Sequence, residues 1–199
     1  MMIAGMCAVP SLSQAATPYV SAYVGLGLAG NSSFKDTNGT TVSDAVSYKT
    51  GIPFGGAIGL KGDQYRVEAA LGYVTNDIDK VLNDNGVLTT DPTADKISIF
   101  SYMANAYYDY AIKDSSVTPY VMGGIGGASL DPQGPGFSGA TSKSVFAWQL
   151  GAGVGVKAAD NIVVDLGYRY FKPGSYKNDN GSKVTFSASN ILLGLRYSF

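Results

Sequence analysis

Eight times along this chain, a stretch of about ten residues alternates apolar side chains with small or polar ones, and that two-residue period constrains the fold most. The clearest case is the end, Asn190 to Phe199. Ile191, Leu193, Leu195, Tyr197 and Phe199 point one way there, and Asn190, Leu192, Gly194, Arg196 and Ser198 the other. The segment closes on an aromatic residue, where a soluble domain more often ends in polar ones. A β-strand crossing a bilayer needs this pattern: apolar toward lipid, polar toward a lumen, aromatic at the interface. The last strand of a soluble sandwich or lipocalin-like barrel shares it locally, so the repetition of the pattern has to decide.

Strands are expected over Pro18–Ala29, Gly51–Leu60, Tyr65–Val74, Ile97–Tyr110, Pro119–Ala128, Phe146–Val156, Ile162–Phe171 and Val184–Phe199. In the glycine-rich fifth, Val121 and Ile125 are assigned to the outer face. The connections alternate. Asn31–Lys49, Thr75–Lys96, Ser129–Lys143 and Lys172–Lys183 read as long polar loops, whereas Lys61–Gln64, Ala111–Thr118 and Lys157–Asn161 are short. Pro132, Gly134, Pro135 and Gly136 exclude a helix in the third long connection. A soluble sandwich has no reason to gather every long loop at one end; outer-membrane barrels have long external loops and short periplasmic turns. The expected fold is therefore all-β, an eight-stranded antiparallel up-and-down transmembrane β-barrel spanning residues 17–199, closed so that no edge is left in the bilayer.

Composition agrees. There are 26 glycines and 14 tyrosines with only 15% charged residues, which suits crowded inward positions and aromatic girdles. Mean hydropathy is +0.07 and no long apolar run occurs, which argues against a transmembrane helix but not against strands whose inner half is polar. A net charge of −1 gives no electrostatic basis for binding nucleic acid. Residues 1–16 read as a signal peptide without its basic start, with Ser13-Gln14-Ala15 fitting a small-x-small cleavage site. Cys7, the one cysteine, falls inside that segment and lacks the usual context of a lipoprotein acceptor.

With eight strands the lumen is only wide enough for side chains to fill it. The charged and amide residues assigned inward are Arg66, Glu68, Asn105, Asp109, Gln149, Asp165, Arg169, Asn190 and Arg196. Three arginines against three carboxylates can pair as a hydrogen-bonded plug, each charge offsetting the desolvation of another. A pore or proton path lined by the same charges is the functional alternative, and the narrow bore weighs against it.

Other motifs carry less. Gly25 to Gly30 formally satisfies G-x-G-x-x-G, but polar Asn31-Ser32-Ser33 follows instead of a helix, so no dinucleotide is implied. With no histidine, Ser-His-Asp and Cys-His chemistry and histidine-containing zinc sites are excluded. Asn83-Asp84-Asn85-Gly86 hints at a calcium loop, yet Val81 and Pro92 occupy its first and twelfth positions. The sequons at Asn31, Asn38 and Asn180 carry no weight in a bacterial host. No cofactor or metal is expected.

Met103-Ala104-Asn105-Ala106-Tyr107-Tyr108-Asp109-Tyr110, Pro119-Tyr120-Val121, Gln149-Leu150-Gly151-Ala152-Gly153-Val154-Gly155, Asp165-Leu166-Gly167-Tyr168-Arg169-Tyr170 and Leu193-Gly194-Leu195-Arg196-Tyr197-Ser198-Phe199 resemble the OmpA-like and opacity-protein-like group of small outer-membrane barrels, which includes bacterial surface antigens. The resemblance is good from the fourth strand onward and loose before it. It implies that Tyr197 and Phe199 form the closing signal read by the outer-membrane assembly machinery. There is no room for the peptidoglycan-binding domain of larger members, so cell-wall anchoring is not implied. The expectation is a non-enzymatic outer-membrane protein of a Gram-negative bacterium, acting as a surface antigen, adhesin or envelope-stabilising protein through its external loops. Its expected partners are outer-membrane lipid and lipopolysaccharide, the assembly machinery, and a host or extracellular ligand at the loops. A narrow channel or carrier for small or hydrophobic molecules is the first rival, a lipid-active enzyme the second and a soluble ligand-binding barrel the third.

Overall fold

Branched and aromatic residues alternating with glycine, alanine and serine suit a pleated strand with one bulky and one thin face. The computed structural model describes residues 16–29, 32–35, 41–48, 51–82, 88–90, 96–133, 142–174, 176–177, 183–185 and 187–199. Nearly all of the expected leader with Cys7, the Asn83–Gly86 stretch and the three sequon asparagines lie outside these residues. In chain order the strands are β1 (Thr17–Ala29), β2 (Ser32–Lys35), β3 (Thr41–Tyr48), β4 (Phe54–Lys61), β5 (Tyr65–Leu82), β6 (Leu88–Thr90), β7 (Lys96–Asp109), β8 (Val117–Gln133), β9 (Lys143–Ala159), β10 (Ile162–Pro173), β11 (Tyr176–Lys177), β12 (Lys183–Thr185) and β13 (Ala188–Ser198).

Eight of these form a closed antiparallel barrel in the order β4-β1-β13-β10-β9-β8-β7-β5, and β5 pairs back onto β4. The seam is β1 against β13, from Tyr19 opposite Ser198 to Ala29 opposite Ala188. At its base the Phe199 N–H donates to the Pro18 carbonyl at 3.1 Å, so both ends of the barrel chain meet on the short-turn side.

The outer face is the apolar one. Leu166 and Leu195 are each 53% exposed, as are their neighbours Ile191 and Leu193 to similar degree. A soluble monomer rarely shows a contiguous apolar patch beyond a few hundred Å²; this one encircles the barrel. Tyr65 against Tyr108 (5.3 Å between rings) and Tyr197 against Phe199 (5.3 Å) mark the rim near the short turns. Phe54 against Tyr73 (5.6 Å) and Trp148 against Tyr170 (5.7 Å) mark the opposite rim. Val121 and Ile125 are exposed on this outer face.

The long connections differ from the irregular loops expected. β5 runs on to Leu82 rather than ending at Val74, and β8 runs to Gln133 rather than Ala128. The expected eighth strand divides into β12 and β13. β2, β3, β6, β11 and β12 form a second sheet in the order β11-β12-β2-β3-β5, with β6 also on β5. Asn, Asp, Ser and Thr in these segments are compatible with paired backbone. A strand beyond the membrane has no lipid on either face, so the alternation that marks strands lower down disappears.

Candidate functional site

Inward residues divide the lumen into two layers. Toward the long connections Ala70, Ile99, Met103, Ala128, Ala147 and Phe171 pack into one buried apolar cluster, and Asn76 is buried on that side as well. Toward the short turns the lumen is polar and holds most of the charged residues. Arg66 follows the β4–β5 turn by one residue and Asp109 ends β7, so the backbone brings them to the same level. Arg66 Nε donates to both carboxylate oxygens of Asp109 (3.0 and 2.8 Å), and Nη2 adds a bond at 2.9 Å. Each side chain is only 4% exposed. Such a forked pair, buried on both sides, is strong enough to offset its own desolvation only because its geometry is close to ideal.

Arg196 on β13 reaches Asp165 through Nη2 at 3.1 Å, while its Nη1 stands 4.0 Å from Asp109. The third expected arginine–carboxylate pair takes another form. Glu68 accepts from Tyr19 (3.0 Å), Tyr107 (2.6 Å) and Asn105 (2.9 Å). Gln149 Nε2 in turn donates to Asn105 Oδ1 at 2.6 Å, which makes one hydrogen-bonded chain across β9, β7, β5 and β1. Arg169 lies over the Tyr23 ring at 4.8 Å instead of pairing one-to-one with that carboxylate. Phenol and amide donors hold a carboxylate with smaller desolvation cost than a second buried cation does. Asn190, also buried, places Nδ2 3.5 Å from the Arg169 carbonyl.

The tyrosines are the part of this site that the sequence reading left out. Their rings are flat between arginines and glycines. Arg66 stacks over Tyr107 (4.1 Å) and Tyr120 (5.1 Å), and Arg196 over Tyr19 (5.7 Å). Beneath them the wall is glycine for reasons of space. A Cβ at Gly167 would stand 2.6 Å from the Tyr120 hydroxyl, and one at Gly55 would stand 2.6 Å from that of Tyr23. Some inward glycines were therefore a signal: Gly55, Gly59, Gly72, Gly153 and Gly167 each mark where a tyrosine ring from a neighbouring strand lies against the wall.

All nine residues of the expected interior network thus face the lumen. Both Asp109 oxygens accept from Arg66, and both Glu68 oxygens accept from neutral donors. The gap left among Arg66, Tyr120, Asp165, Arg169 and Arg196 is a cavity of about 50 Å³. That admits a few water molecules and no hydrated ion. Gly25 and Gly27 donate backbone hydrogen bonds to Pro53 and Gly51 (2.9 and 2.8 Å), so the glycine motif is strand. Tyr197 and Phe199 lie outside, on the rim near the short turns.

At the other end the wall rises well past a bilayer. β5 has 18 residues and β8 and β9 have 17 each, against the roughly 9–11 that a tilted crossing strand needs. The surplus of β5 pairs with β3 and β6 of the second sheet.

A family model described as the outer membrane protein beta-barrel domain matches residues 2–199. Outer membrane protein PagN of Salmonella typhimurium is 34% identical over 125 residues, which cover 52% of this chain and 51% of that protein; the match spans about half of the curated relative. An uncharacterized Brucella abortus protein is 25% identical over 221 residues, covering 83% of this chain and 75% of its own. Among solved structures, Neisserial surface protein A superposes with a TM-score of 0.59 at 18% identity, over 92% of this chain and 97% of the other, a likeness of fold.

Proposed function

From the premise that the chain belongs to the outer membrane protein beta-barrel domain family, and is an outer-membrane β-barrel protein, we propose that it is a non-enzymatic surface protein whose external sheet binds a host or extracellular ligand. The observation that carries this reading is the β11-β12-β2-β3-β5 sheet. Strands that only anchor a barrel gain nothing from extending beyond the bilayer, whereas a paired sheet that ends, among the described residues, at β11 offers a preformed recognition surface. The absence of histidine and the occupied lumen carboxylates support a role without catalysis. The local likeness to PagN, an outer membrane protein by its name, agrees with this location.

On this reading, residues 1–16 leave as a signal peptide, Tyr197 and Phe199 are read by the assembly machinery, and lipid and lipopolysaccharide surround the apolar belt. The lumen network is a structural plug, so the intact protein gives no conductance steps in planar bilayers; regular steps would restore the channel reading. The decisive test replaces residues 32–48 with a short Gly-Ser turn and measures adherence of bacteria displaying the protein to cultured mammalian cells. The variant is expected to reach the outer membrane folded and to lose adherence. Unchanged adherence, or none conferred by the parent chain, overturns the proposal.

A further inference from the structure

Arg196 is 4% exposed, yet of its three nitrogens only Nη2 has a protein acceptor, Asp165 Oδ1 at 3.1 Å. Among the described residues, Nε and Nη1 have none within hydrogen-bonding distance. Nη1 comes no closer than 4.0 Å to Asp109, whose oxygens are already taken by Arg66. Two buried donors on a charged group without acceptors are costly, and native interiors rarely tolerate them. The same guanidinium lines the cavity of about 50 Å³.

We propose that this cavity is a built hydration site, in which at least two ordered waters accept from Arg196 Nε and Nη1 and link it to the polar groups of the opposite wall. The fork geometry of the guanidinium argues for water over a single anion. Nε and Nη1 lie on either side of Nη2, so one monatomic ion cannot accept from both. Charge points the same way, because Arg66, Arg169 and Arg196 are matched by Glu68, Asp109 and Asp165 without a further negative charge. The volume also fits, since a water needs roughly 10–15 Å³ of such space and two to four polar partners. Ile99, Met103 and Phe171 belong to the buried apolar cluster of the lumen, which offers this water no polar partner. The plug then has one locked joint, Arg66 with Asp109, and one solvated joint at Arg196.

The test uses the full chain with ¹⁵N-labelled arginine in detergent micelles. Arg196 Nε–H is expected to show direct cross-relaxation to water and to exchange at least about tenfold faster than Arg66 Nε–H, the factor that one net hydrogen bond supplies. Arg196→Lys removes this Nε–H and so assigns its resonance while the barrel stays folded. Two results overturn the proposal: an Arg196 Nε–H as dry and slow as that of Arg66, or an anomalous bromide peak against Nε or Nη1 in crystals grown with bromide.

Discussion

Removing one half of the forked pair is the sharpest probe of the plug. Arg66→Met leaves the Asp109 carboxylate at 4% exposure, without its three hydrogen bonds of 2.8–3.0 Å. Breaking a buried pair from one side costs about 3–5 kcal/mol, chiefly because the remaining charge stays desolvated. Here Arg196 is 4.0 Å away and can lean toward Asp109, so the lower end, about 3 kcal/mol, is expected. The loss of stacking on Tyr107 and Tyr120 adds about 0.5–1 kcal/mol. Arg66→Met combined with Asp109→Leu removes both charges, and the double variant should lie within about 1.5 kcal/mol of the parent. The double variant should then be more stable than Arg66→Met alone by about 2 kcal/mol or more. The assay is urea unfolding in detergent micelles, read by Trp148, the single tryptophan, which packs on Tyr170 on the lipid side and enters water on unfolding. If the two substitutions simply add, or if Arg66→Met costs under about 1 kcal/mol, the argument that this pair locks the lumen is wrong.

Three further outcomes follow from single contacts. Gly167→Ala should cost about 1–3 kcal/mol, because its Cβ meets the Tyr120 hydroxyl at 2.6 Å; adding Tyr120→Phe should recover most of that, since the ring carbon is 3.6 Å away, an ordinary contact. Asp114, with φ of 58° in the β7–β8 turn, is in the left-handed region, so Asp114→Val should cost about 1–2 kcal/mol while Asp114→Gly is tolerated, both by the same urea titration. In the β9–β10 turn the Lys157 ammonium, 2.9 Å from Asp160, holds that carboxyl below its ordinary range. Its small contribution to stability is present above the unfolded carboxylate pKa and is lost as pH falls through the lower folded value. NMR titration of Lys157→Met should return Asp160 to the ordinary range.

Alternation along the chain was sufficient to give the number of barrel strands, their approximate places and, outside the glycine-rich fifth, the inward or outward side of their residues, because the pleat ties side to parity and the membrane makes the two sides chemically opposite. Arg66, Asn105 and Arg196 could be assigned to the lumen on that basis alone. Which inward group each of them meets was decided only in three dimensions. The stagger between closed strands sets the levels at which side chains face each other across the bore. It placed Asp109 on Arg66, and it gave Glu68 two phenols and an amide, where a count of charges had suggested a third ion pair. The same stagger laid the tyrosine rings on glycines from neighbouring strands, a relation between residues far apart in sequence. The second sheet was hidden for a different reason: its segments are polar and lack the alternation that reveals a strand within a bilayer, and only the pairing of the backbones defines them.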